Sequence, residues 1–402
     1  MNFGEDSGTL ASQHIRDMIT EGKIIIPNAD LSRNSDGNFI SADIEQRVQP
    51  ASFEPTVAGF VYVLEPESGT FTPEGGRIID AISSMPTQRA RKVNIEGGYE
   101  LKRGYTYLLP LNESLILKEG EYVRSSPKSS IGRLFLDLRM VSDFSRSYNT
   151  VPGRVHNVEV SMFLLVQPLA FNVIVHPNQV LNQLRFFRGL DCELTNSEIS
   201  ALLNESLRPI AMLKGETMFT QRPLHEGLFL HYGLVPDALG FVAYRALRNP
   251  DPIDLGKPAE SYERSAYFEG LKDSEDLRFL PGENYIMRTA EMLDIPPEHN
   301  AELEFESVSA VRGHKHYAGF IDPGFHGDLV AEFTPSEKHI IKLSHGLVLS
   351  RVKVYRMLEK PDKIYGKKIG SNYQSQVGAR VAKYFYEDQK QEPVKVINKS
   401  II

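Results

Sequence analysis

Residues 318–333 read Ala-Gly-Phe-Ile-Asp-Pro-Gly-Phe-His-Gly-Asp-Leu-Val-Ala-Glu-Phe, and they carry the strongest structural signal in the chain. Two glycines flank the pair Asp322-Pro323, which predicts a tight turn at this point. The apolar run at 329–333 follows the turn and predicts a strand of a buried sheet. The stretch therefore predicts a β-hairpin with a sharp turn and a buried second strand.

Glu332 lies within this predicted strand, between Ala331 and Phe333. Burial disfavours the charged form of a carboxyl group, so the pKa of a buried glutamate rises toward the working pH of a general base. Alternation of side chains along a strand also allows the opposite orientation, in which Glu332 faces solvent. The local pattern leaves both orientations open, and Glu332 is therefore a candidate base whose burial depends on the tertiary structure.

Outside the hairpin, three weakly similar pairs of segments occur in the same order in the two halves of the chain. The pairs are residues 10–21 with 194–205, 104–117 with 282–295, and 181–186 with 349–354. The first pair has apolar residues three and four apart, which predicts an amphipathic helix in each half. One such match arises easily by chance, but three in the same order indicate a duplicated chain.

Between the repeats, short β-branched and aromatic runs alternate with Gly, Pro, Asn and Asp. The runs are residues 23–27, 60–64, 105–111, 159–166, 171–175, 329–333, 339–343 and 347–355. This texture predicts a mainly β fold of sandwich or barrel units, and Asn, Asp, Gly and Pro predict surface loops at 32–38 and 249–260. We predict two tandem halves, 1–188 and 189–357, each with a short helix before a β-rich domain, and a C-terminal tail at 358–402 that is ordered only where it makes contacts.

Two further polar segments are candidates for ligand binding. Residues 127–133, Pro-Lys-Ser-Ser-Ile-Gly-Arg, combine two hydroxyls, a glycine and two cations, which is the chemistry of phosphate recognition. A polar loop leading into an apolar strand at 134–138 explains the same residues equally well. Residues 365–376 lie in the predicted tail, and they either close over a ligand or form a flexible polar end.

Composition excludes several classes of function. The chain has 45 Lys and Arg against 52 Asp and Glu, and its net charge of −7 argues against a general nucleic-acid or membrane-surface binder. Cys192 is the only cysteine, so neither an intrachain disulfide nor a cysteine-based zinc site can form. The acidic start lacks the layout of a signal peptide, and no window approaches the ~18 apolar residues of a membrane span. We therefore expect a cytoplasmic protein.

Together the polar segments and the hairpin resemble the deoxycytidine triphosphate (dCTP) deaminase family, whose superfamily also contains the trimeric dUTPases. Residues 129–133 are similar to the SSxxR phosphate motif of that family. Residues 318–327 with Glu332 are similar to its AGFIDPGFxG hairpin and catalytic glutamate, and 371–376 to its C-terminal closing segment. The resemblance implies that each half is a dUTPase-like distorted β-barrel or jelly roll.

The resemblance also implies a reaction and a set of roles. The reaction is metal-free deamination of dCTP to dUTP and ammonia, with Glu332 activating water for attack on cytosine C4 and Asp322 anchoring the hairpin or the water. Magnesium would arrive bound to the triphosphate, zinc would have no part, and the chain would form a homo-oligomer. The expected substrate-binding residues are Lys128, Ser129, Ser130 and Arg133 for the phosphates, Ala318, Gly319, Phe320 and Ile321 for the base, and Tyr365, Tyr373 and Gln376 for closure.

Each half departs from the family pattern where the other half keeps it. In the first half, residues 147–153 replace the hairpin, and the repeat places Leu164 where Glu332 lies. In the second half, residues 305–309 occupy the place of SSxxR and lack its arginine. We therefore predict one composite site, with the phosphate motif from the first half and the hairpin and base from the second. The sequence does not determine whether these parts meet within one chain or between chains.

Two other functions stay open at this stage. The dUTPases share the hairpin and the serine-rich motif, so a dUTP diphosphatase or a bifunctional deaminase and dUTPase is the nearer alternative. Glu332 favours deamination, because dUTPases usually have an apolar residue in that strand. A non-catalytic nucleotide-binding module is the second alternative. The His314-Lys315-His316 cluster lacks a third metal ligand, which favours a solvated loop.

Overall fold

The computed structural model describes residues 7–29, 40–65, 71–86, 88–190, 192–205, 228–248, 250–273, 277–305, 317–335, 340 and 342–386. Strands and loops dominate this part of the chain, and most strand pairs are antiparallel. The prediction of a mainly β protein is therefore confirmed, while closed barrels or jelly rolls stay a prediction. No helix among these residues is long and apolar enough to cross a membrane.

The described residues of the first half form twelve strands and four helices. The strands are β1 (Gly8–Thr9), β2 (Ile24–Ile25), β3 (Phe60–Leu64), β4 (Ala90–Asn94), β5 (Tyr99–Leu101), β6 (Thr106–Ile116), β7 (Glu121–Pro127), β8 (Leu136–Ser142), β9 (Thr150–Val151), β10 (Glu159–Pro168), β11 (Val173–Val175) and β12 (Asn182–Arg188). The helices are α1 (Ser12–Thr20), α2 (Ala42–Arg47), α3 (Ile78–Ser84) and α4 (Ser129–Gly132). One sheet has the order β1-β12-β7-β9, and a second has the order β4-β3-β6-β10-β8, with β2 added to β6.

The second half and the tail contain the remaining described elements. They are helices α5 (Asn196–Glu205) and α6 (Arg264–Tyr267), a 3-10 helix (Lys367–Ile369) and strands β13 (Leu228–Gly233), β14 (Ala243–Ala246), β15 (Ile253–Asp254), β16 (Tyr262–Glu263), β17 (Phe268–Leu271), β18 (Tyr285–Asp294), β19 (His299–Phe305), β20 (Phe320–Ile321), β21 (His326–Phe333), β22 (Val348–Arg356) and β23 (Phe385–Tyr386). One sheet has the order β17-β14-β18-β13-β22-β19-β20, and β21 pairs with β18. The matched segments of the two halves thus form matching elements: α1 with α5, β6 with β18, and β12 with β22.

The two amphipathic helices form where their apolar spacing predicts them. Helix α1 buries Ile15, Met18 and Ile19 on one face. Helix α5 begins after Thr195, whose hydroxyl accepts a hydrogen bond from the Glu198 backbone N–H at 3.3 Å. The Glu198 carboxylate in turn accepts the Thr195 backbone N–H at 2.7 Å, which completes a capping box. Both predicted helices are therefore confirmed.

Two local predictions are wrong for the residues that the structure covers. Residues 340, 342 and 343 lie in no strand, and Ile340 is 57% exposed, because an apolar run forms a strand only where a neighbour pairs with it. The loop predicted at 249–260 contains β15, which pairs in parallel with β11 of the first half and buries Ile253. The loop predicted at 32–38 lies outside the described residues.

Strands β7 and β12 of the first half pack against the second half and place the site between the halves. Arg124 of β7 pairs with Glu302 of β19 at 3.0 Å and donates to the Tyr355 hydroxyl at 2.6 Å. The Ser126 hydroxyl accepts a hydrogen bond from the Gly319 backbone N–H at 3.0 Å. The described part of the tail, 358–386, packs on both halves, and its β23 pairs with β16.

Candidate active site

One pocket lies where the two halves and the tail meet, and every site residue predicted from the sequence lines it. The first half contributes Gln49, Glu54, Lys128, Ser129, Ser130, Arg133 and Gln183, the second half Leu303, Ala318, Gly319, Phe320, Ile321, Asp322, Phe325, Leu329, Val330 and Glu332, and the tail Tyr365, residues 369–373 and Gln376. The motifs of the two halves therefore meet within a single chain. Their chemical roles stay predictions.

Glu332 is buried, with 3% of its surface exposed. Of the two orientations that strand alternation allows, its side chain therefore takes the one that faces inward. It lies in β21 opposite Ile286 of β18. The repeat matches Ile286 to Leu108 of β6, which lies opposite Leu165 of β10, so the strand register puts Leu165 in the matching place, one residue from the predicted Leu164. Burial raises the pKa of Glu332 to about 7, and the positive charge of Arg133 partly offsets this rise. One carboxylate oxygen, Oε2, has no hydrogen-bond partner among the described residues. That oxygen is available to accept a proton at neutral pH.

Arg133 follows helix α4 and lies beside Glu332, beneath the tail. Its guanidinium donates to the Arg380 carbonyl at 2.9 Å and to the Gln376 side-chain oxygen at 3.1 Å. The ring of Tyr373 stacks on it, with 3.8 Å between the guanidinium carbon and the ring centroid. From this position the charge of Arg133 acts on the candidate base Glu332. Binding of phosphate by Arg133 stays a prediction.

Helix α4 is a single turn that presents the polar segment 128–133 to the pocket. Residues 129–132 therefore form a helical turn, and not the polar loop that the sequence also allowed. Lys128 precedes the helix, and its ammonium pairs with Glu54 at 2.6 Å. Burial raises the pKa of Glu54, and the charge of Lys128 opposes that rise. The pocket thus holds a lysine with a buried carboxylate as its partner on the first-half side.

The predicted tight turn forms at 322–325, where the Phe325 backbone N–H donates to the Asp322 carbonyl at 3.1 Å. Gly324 adopts a positive φ of 82°, which explains the glycine after the proline. The Asp322 side chain faces the pocket, where burial raises its pKa and Arg185 lowers it. The hairpin therefore brings the Asp322 carboxyl group and residues 318–321 to the same cavity.

The tail closes over the pocket through contacts with β21. Gln376 lies beside Gly327 in a parallel bridge, and a β-carbon on Gly327 would lie 2.9 Å from the Gln376 carbonyl oxygen. The Gly378 backbone N–H donates to the Asp328 carboxylate at 2.8 Å, and Arg288 pairs with that carboxylate at 2.8 Å. The tail is thus attached to the strand that carries Glu332.

Four polar or charged residues that contact the site were absent from the prediction: Gln49, Glu54, Gln183 and Arg185. Arg185 had a usable sequence signal, because it interrupts the apolar run between Leu184 and Phe186, and charged residues in buried strands are rare without a partner. The other three lie in segments with no such signal. Their place in the pocket follows only from the packing of the halves.

Some predicted features lie outside the described residues, namely residues 306–309 and the His314-Lys315-His316 cluster. Within the described ranges, no group of three or more His, Cys, Asp or Glu side chains is arranged to hold a metal ion. Magnesium bound to a triphosphate would be part of the substrate. Lys128, Glu54 and Asp322 are among the charged residues that line the pocket.

Two family models match nearly the whole chain. The N-terminal domain model of 2'-deoxycytidine 5'-triphosphate deaminase matches residues 6–190, and the C-terminal domain model matches residues 205–385. A solved structure of 2'-deoxycytidine 5'-triphosphate deaminase from Agrobacterium tumefaciens is similar with a TM-score of 0.76 and 26% identity. The similarity covers 91% of this chain and 100% of that one.

Curated relatives match a shorter part of the chain. A "dCTP deaminase, dUMP-forming" of Halobacterium salinarum is 29% identical over 116 residues, covering 28% of this chain and 59% of the relative. A protein of the same description from Mycobacterium avium is 29% identical, covering 30% of this chain and 65% of the relative. A "dCTP deaminase" of Natronomonas pharaonis is 27% identical, covering 32% and 65%. These alignments span less than two thirds of each relative.

Proposed function

Because the chain belongs to the 2'-deoxycytidine 5'-triphosphate deaminase family, we propose that it removes the exocyclic amino group of dCTP by hydrolysis and releases ammonia. The observation that carries this proposal is Glu332, a buried carboxylate with a pKa of about 7 and one unpartnered oxygen among the described residues. A group with these properties accepts and returns a proton efficiently at neutral pH.

In the proposed reaction, ionised Glu332 takes a proton from a water molecule as the water oxygen bonds to cytosine C4. The protonated Glu332 gives this proton to the ring nitrogen N3, so that C4 carries a hydroxyl and an amino group. Glu332 then takes the hydroxyl proton and passes it to the departing amino group, as the C4=O bond forms and N3 keeps its proton. The C4–N4 bond breaks, ammonia leaves, and a uracil ring remains. Glu332 ends in its starting form, so the reaction consumes one water per dCTP and needs no further reactant.

The surrounding residues support the individual steps. Arg133 supplies a positive charge that opposes the effect of burial on Glu332 and keeps part of it ionised. Residues 318–321 line the pocket, and their backbone would bind the edge of the base. Lys128, Ser129 and Ser130 line the pocket and would bind the phosphates, with magnesium entering as part of the nucleotide complex.

The zinc-dependent route to cytosine deamination is closed to this chain. That route uses a PCxxC segment whose two cysteines bind zinc, together with a third ligand. The sequence contains one cysteine, Cys192, which is buried. Proton transfer by Glu332 is therefore the mechanism that the available residues support.

A bifunctional enzyme, which also hydrolyses the nucleotide to dUMP and pyrophosphate, is the second candidate. It is favoured by Asp322, a carboxylate in the same pocket, and by similarity to relatives described as dUMP-forming. A dUTP diphosphatase without deaminase activity fits less well, because it leaves Glu332 without a role. The same objection applies to a non-catalytic nucleotide-binding module.

One experiment separates these functions. The purified protein is incubated with dCTP and Mg²⁺, and with dUTP and Mg²⁺, and ammonia and pyrophosphate are assayed separately. Ammonia alone indicates a dCTP deaminase, both products indicate the bifunctional enzyme, and pyrophosphate from dUTP alone indicates a diphosphatase. If neither ammonia nor pyrophosphate is released, the protein catalyses neither reaction. Glu332→Gln serves as the control, and we expect its ammonia release to fall by ~10²–10⁴-fold. A homo-oligomer and a cytoplasmic location stay predictions.

A further inference from the structure

Arg185 is a fully buried arginine of the first half that reaches into the second half. It lies in β12, and one guanidinium nitrogen donates to the Asn300 side-chain oxygen at 2.7 Å and to the Ala301 carbonyl at 2.9 Å. The other nitrogen lies 3.4 Å from the Ile321 carbonyl oxygen and 3.3 Å from Asp322 Oδ1. We propose that Arg185 is a positioning residue, which holds the hairpin of the second half in its base-binding geometry.

The contacts are specific to a guanidinium. Its two terminal nitrogens diverge in one plane, so they bind two neighbouring strands, β19 and β20, at the same time. The face of the guanidinium stacks on Phe320, with 4.1 Å between its carbon and the ring centroid. A lysine carries the same charge on a single nitrogen, and it cannot form both sets of bonds or stack in this way.

The contacts end at the part of the hairpin that faces the pocket. Ile321 and Asp322 line the cavity, and Arg185 binds the backbone of the first and the carboxylate of the second. Burial raises the pKa of Asp322, and the charge of Arg185 is the largest opposing influence, with a smaller one from Lys128. The first half thereby fixes the shape of the second half's hairpin and also stabilises the ionised form of Asp322.

A purely structural role for Arg185 makes different predictions. Removing one partner of a buried ion pair destabilises a protein regardless of any site, because a charge is left without compensation. A positioning role requires that activity fall while the fold persists. It also requires that the effect of Arg185 depend on Asp322.

The closing experiment uses Arg185→Lys and measures kcat and KM for ammonia release from dCTP, together with thermal unfolding. This inference rests on the proposed deaminase function, so wild-type activity is measured first. A displaced reacting group costs up to about 100-fold in rate, and we expect kcat/KM to fall by about 10- to 100-fold with the fold retained. Arg188→Lys is the matched control, because Arg188 lies on the same strand and pairs with a carboxylate, that of Glu121, but is partly exposed and does not line the pocket. We expect its kinetics to match the wild type.

A double variant tests whether Arg185 acts through Asp322. If it does, Arg185→Lys combined with Asp322→Asn is hardly less active than Asp322→Asn alone, because both changes remove the same interaction. Independent, multiplicative losses would overturn the inference, as would normal kinetics of Arg185→Lys in an active protein. An inactive wild type would instead refute the proposed function.

A second single variant keeps the test decisive if Arg185→Lys does not fold. Asn300 accepts a hydrogen bond from Arg185 but does not line the pocket. Asn300→Ala therefore loosens the guanidinium without touching bound nucleotide. We expect a smaller loss of kcat/KM in the same direction, and unchanged kinetics of a folded Asn300→Ala protein would contradict the positioning role.

Discussion

Gly132 of the first half lies directly against Glu332 of the second. A β-carbon on Gly132 would lie 3.2 Å from Glu332 Oε1 and 3.0 Å from the Ala318 β-carbon. Gly132 lies in helix α4 and has a negative φ, which other residues also adopt. Glycine is therefore needed here because it has no side chain, and not because of its backbone conformation. The SSxxR segment therefore supplies polar groups and also a glycine that lets its backbone pack closely against the candidate base Glu332.

Gly132→Ala should lower activity without unfolding the protein. Alanine is favoured over glycine in a helix by about 0.5–1 kcal/mol, so the backbone gains from the change. The added methyl group presses on Glu332 and Ala318, and we expect kcat/KM for dCTP to fall by at least about tenfold. Gly97→Ala is the control, since a β-carbon there meets nothing within 4 Å. Equal kinetics for both variants would show that the close approach is unimportant.

The raised pKa of Glu332 should make the free protein less stable as the pH rises. The unfolded chain releases this proton near pH 4.5 and the folded chain near pH 7. Burial of Glu332 therefore does not lower the free energy of unfolding below pH 4.5, and lowers it by the full amount above pH 7. Over this range the wild type should lose about 3 kcal/mol relative to Glu332→Gln. Urea titrations of both proteins at pH 5 and pH 8 measure the difference, and other buried carboxyl groups cancel in the comparison. Parallel pH dependences would contradict burial of an ionisable Glu332.

Arg133→Met should move the acidic limb of the pH–rate profile to higher pH. Arg133 lowers the pKa of Glu332, so without this charge the carboxyl group holds its proton to a higher pH. The base form is then lost earlier as the pH falls, and the midpoint of kcat/KM moves up. Lys128→Met is the comparison, because Lys128 is not among the groups that shift the Glu332 pKa. That variant should lose activity with an unmoved midpoint.

The ring of Tyr373 should matter more than its hydroxyl group. The ring covers the buried Arg133 guanidinium, and such a desolvated cation–π contact contributes about 2 kcal/mol, or ~30-fold. In the part of the chain that the structure covers, the hydroxyl takes part in one hydrogen bond, which it accepts from the Lys383 backbone N–H at 3.1 Å. We expect Tyr373→Ala to lower kcat/KM by at least about tenfold and Tyr373→Phe by less than about threefold. Equal losses in the two variants would assign the effect to the hydroxyl.

Two inactive variants should not rescue one another. Arg133 and Glu332 line one pocket of a single chain, so a mixture of Arg133→Ala and Glu332→Gln chains contains no pocket with both residues intact. Unfolding the two proteins together and refolding them should therefore leave ammonia release at the sum of the separate variants. Activity well above that sum would mean that functional sites form between chains.

Much of the site could be predicted from local sequence, because each signal depends on neighbours along the chain. The Asp322-Pro323 turn requires glycines beside it, and Gly324 indeed takes a positive φ. The helices α1 and α5 follow from apolar residues three and four apart. The polar residues 128–133 are recognisable by type, and the pocket collects them with the hairpin and the tail.

By itself the sequence determined which residue types are available: a glutamate that is a candidate base, a Ser-Ser-Ile-Gly-Arg segment that is a candidate phosphate motif, and a single cysteine. Only the tertiary structure decided that Glu332 faces inward, that the two motifs meet within one chain, and that Arg185 supports the hairpin of the other half. The reason is physical. Burial, and the pKa shift that it causes, depend on side chains that are far apart in sequence. Strand alternation predicts which residues share a face, but which face becomes buried depends on the packing of the rest of the chain.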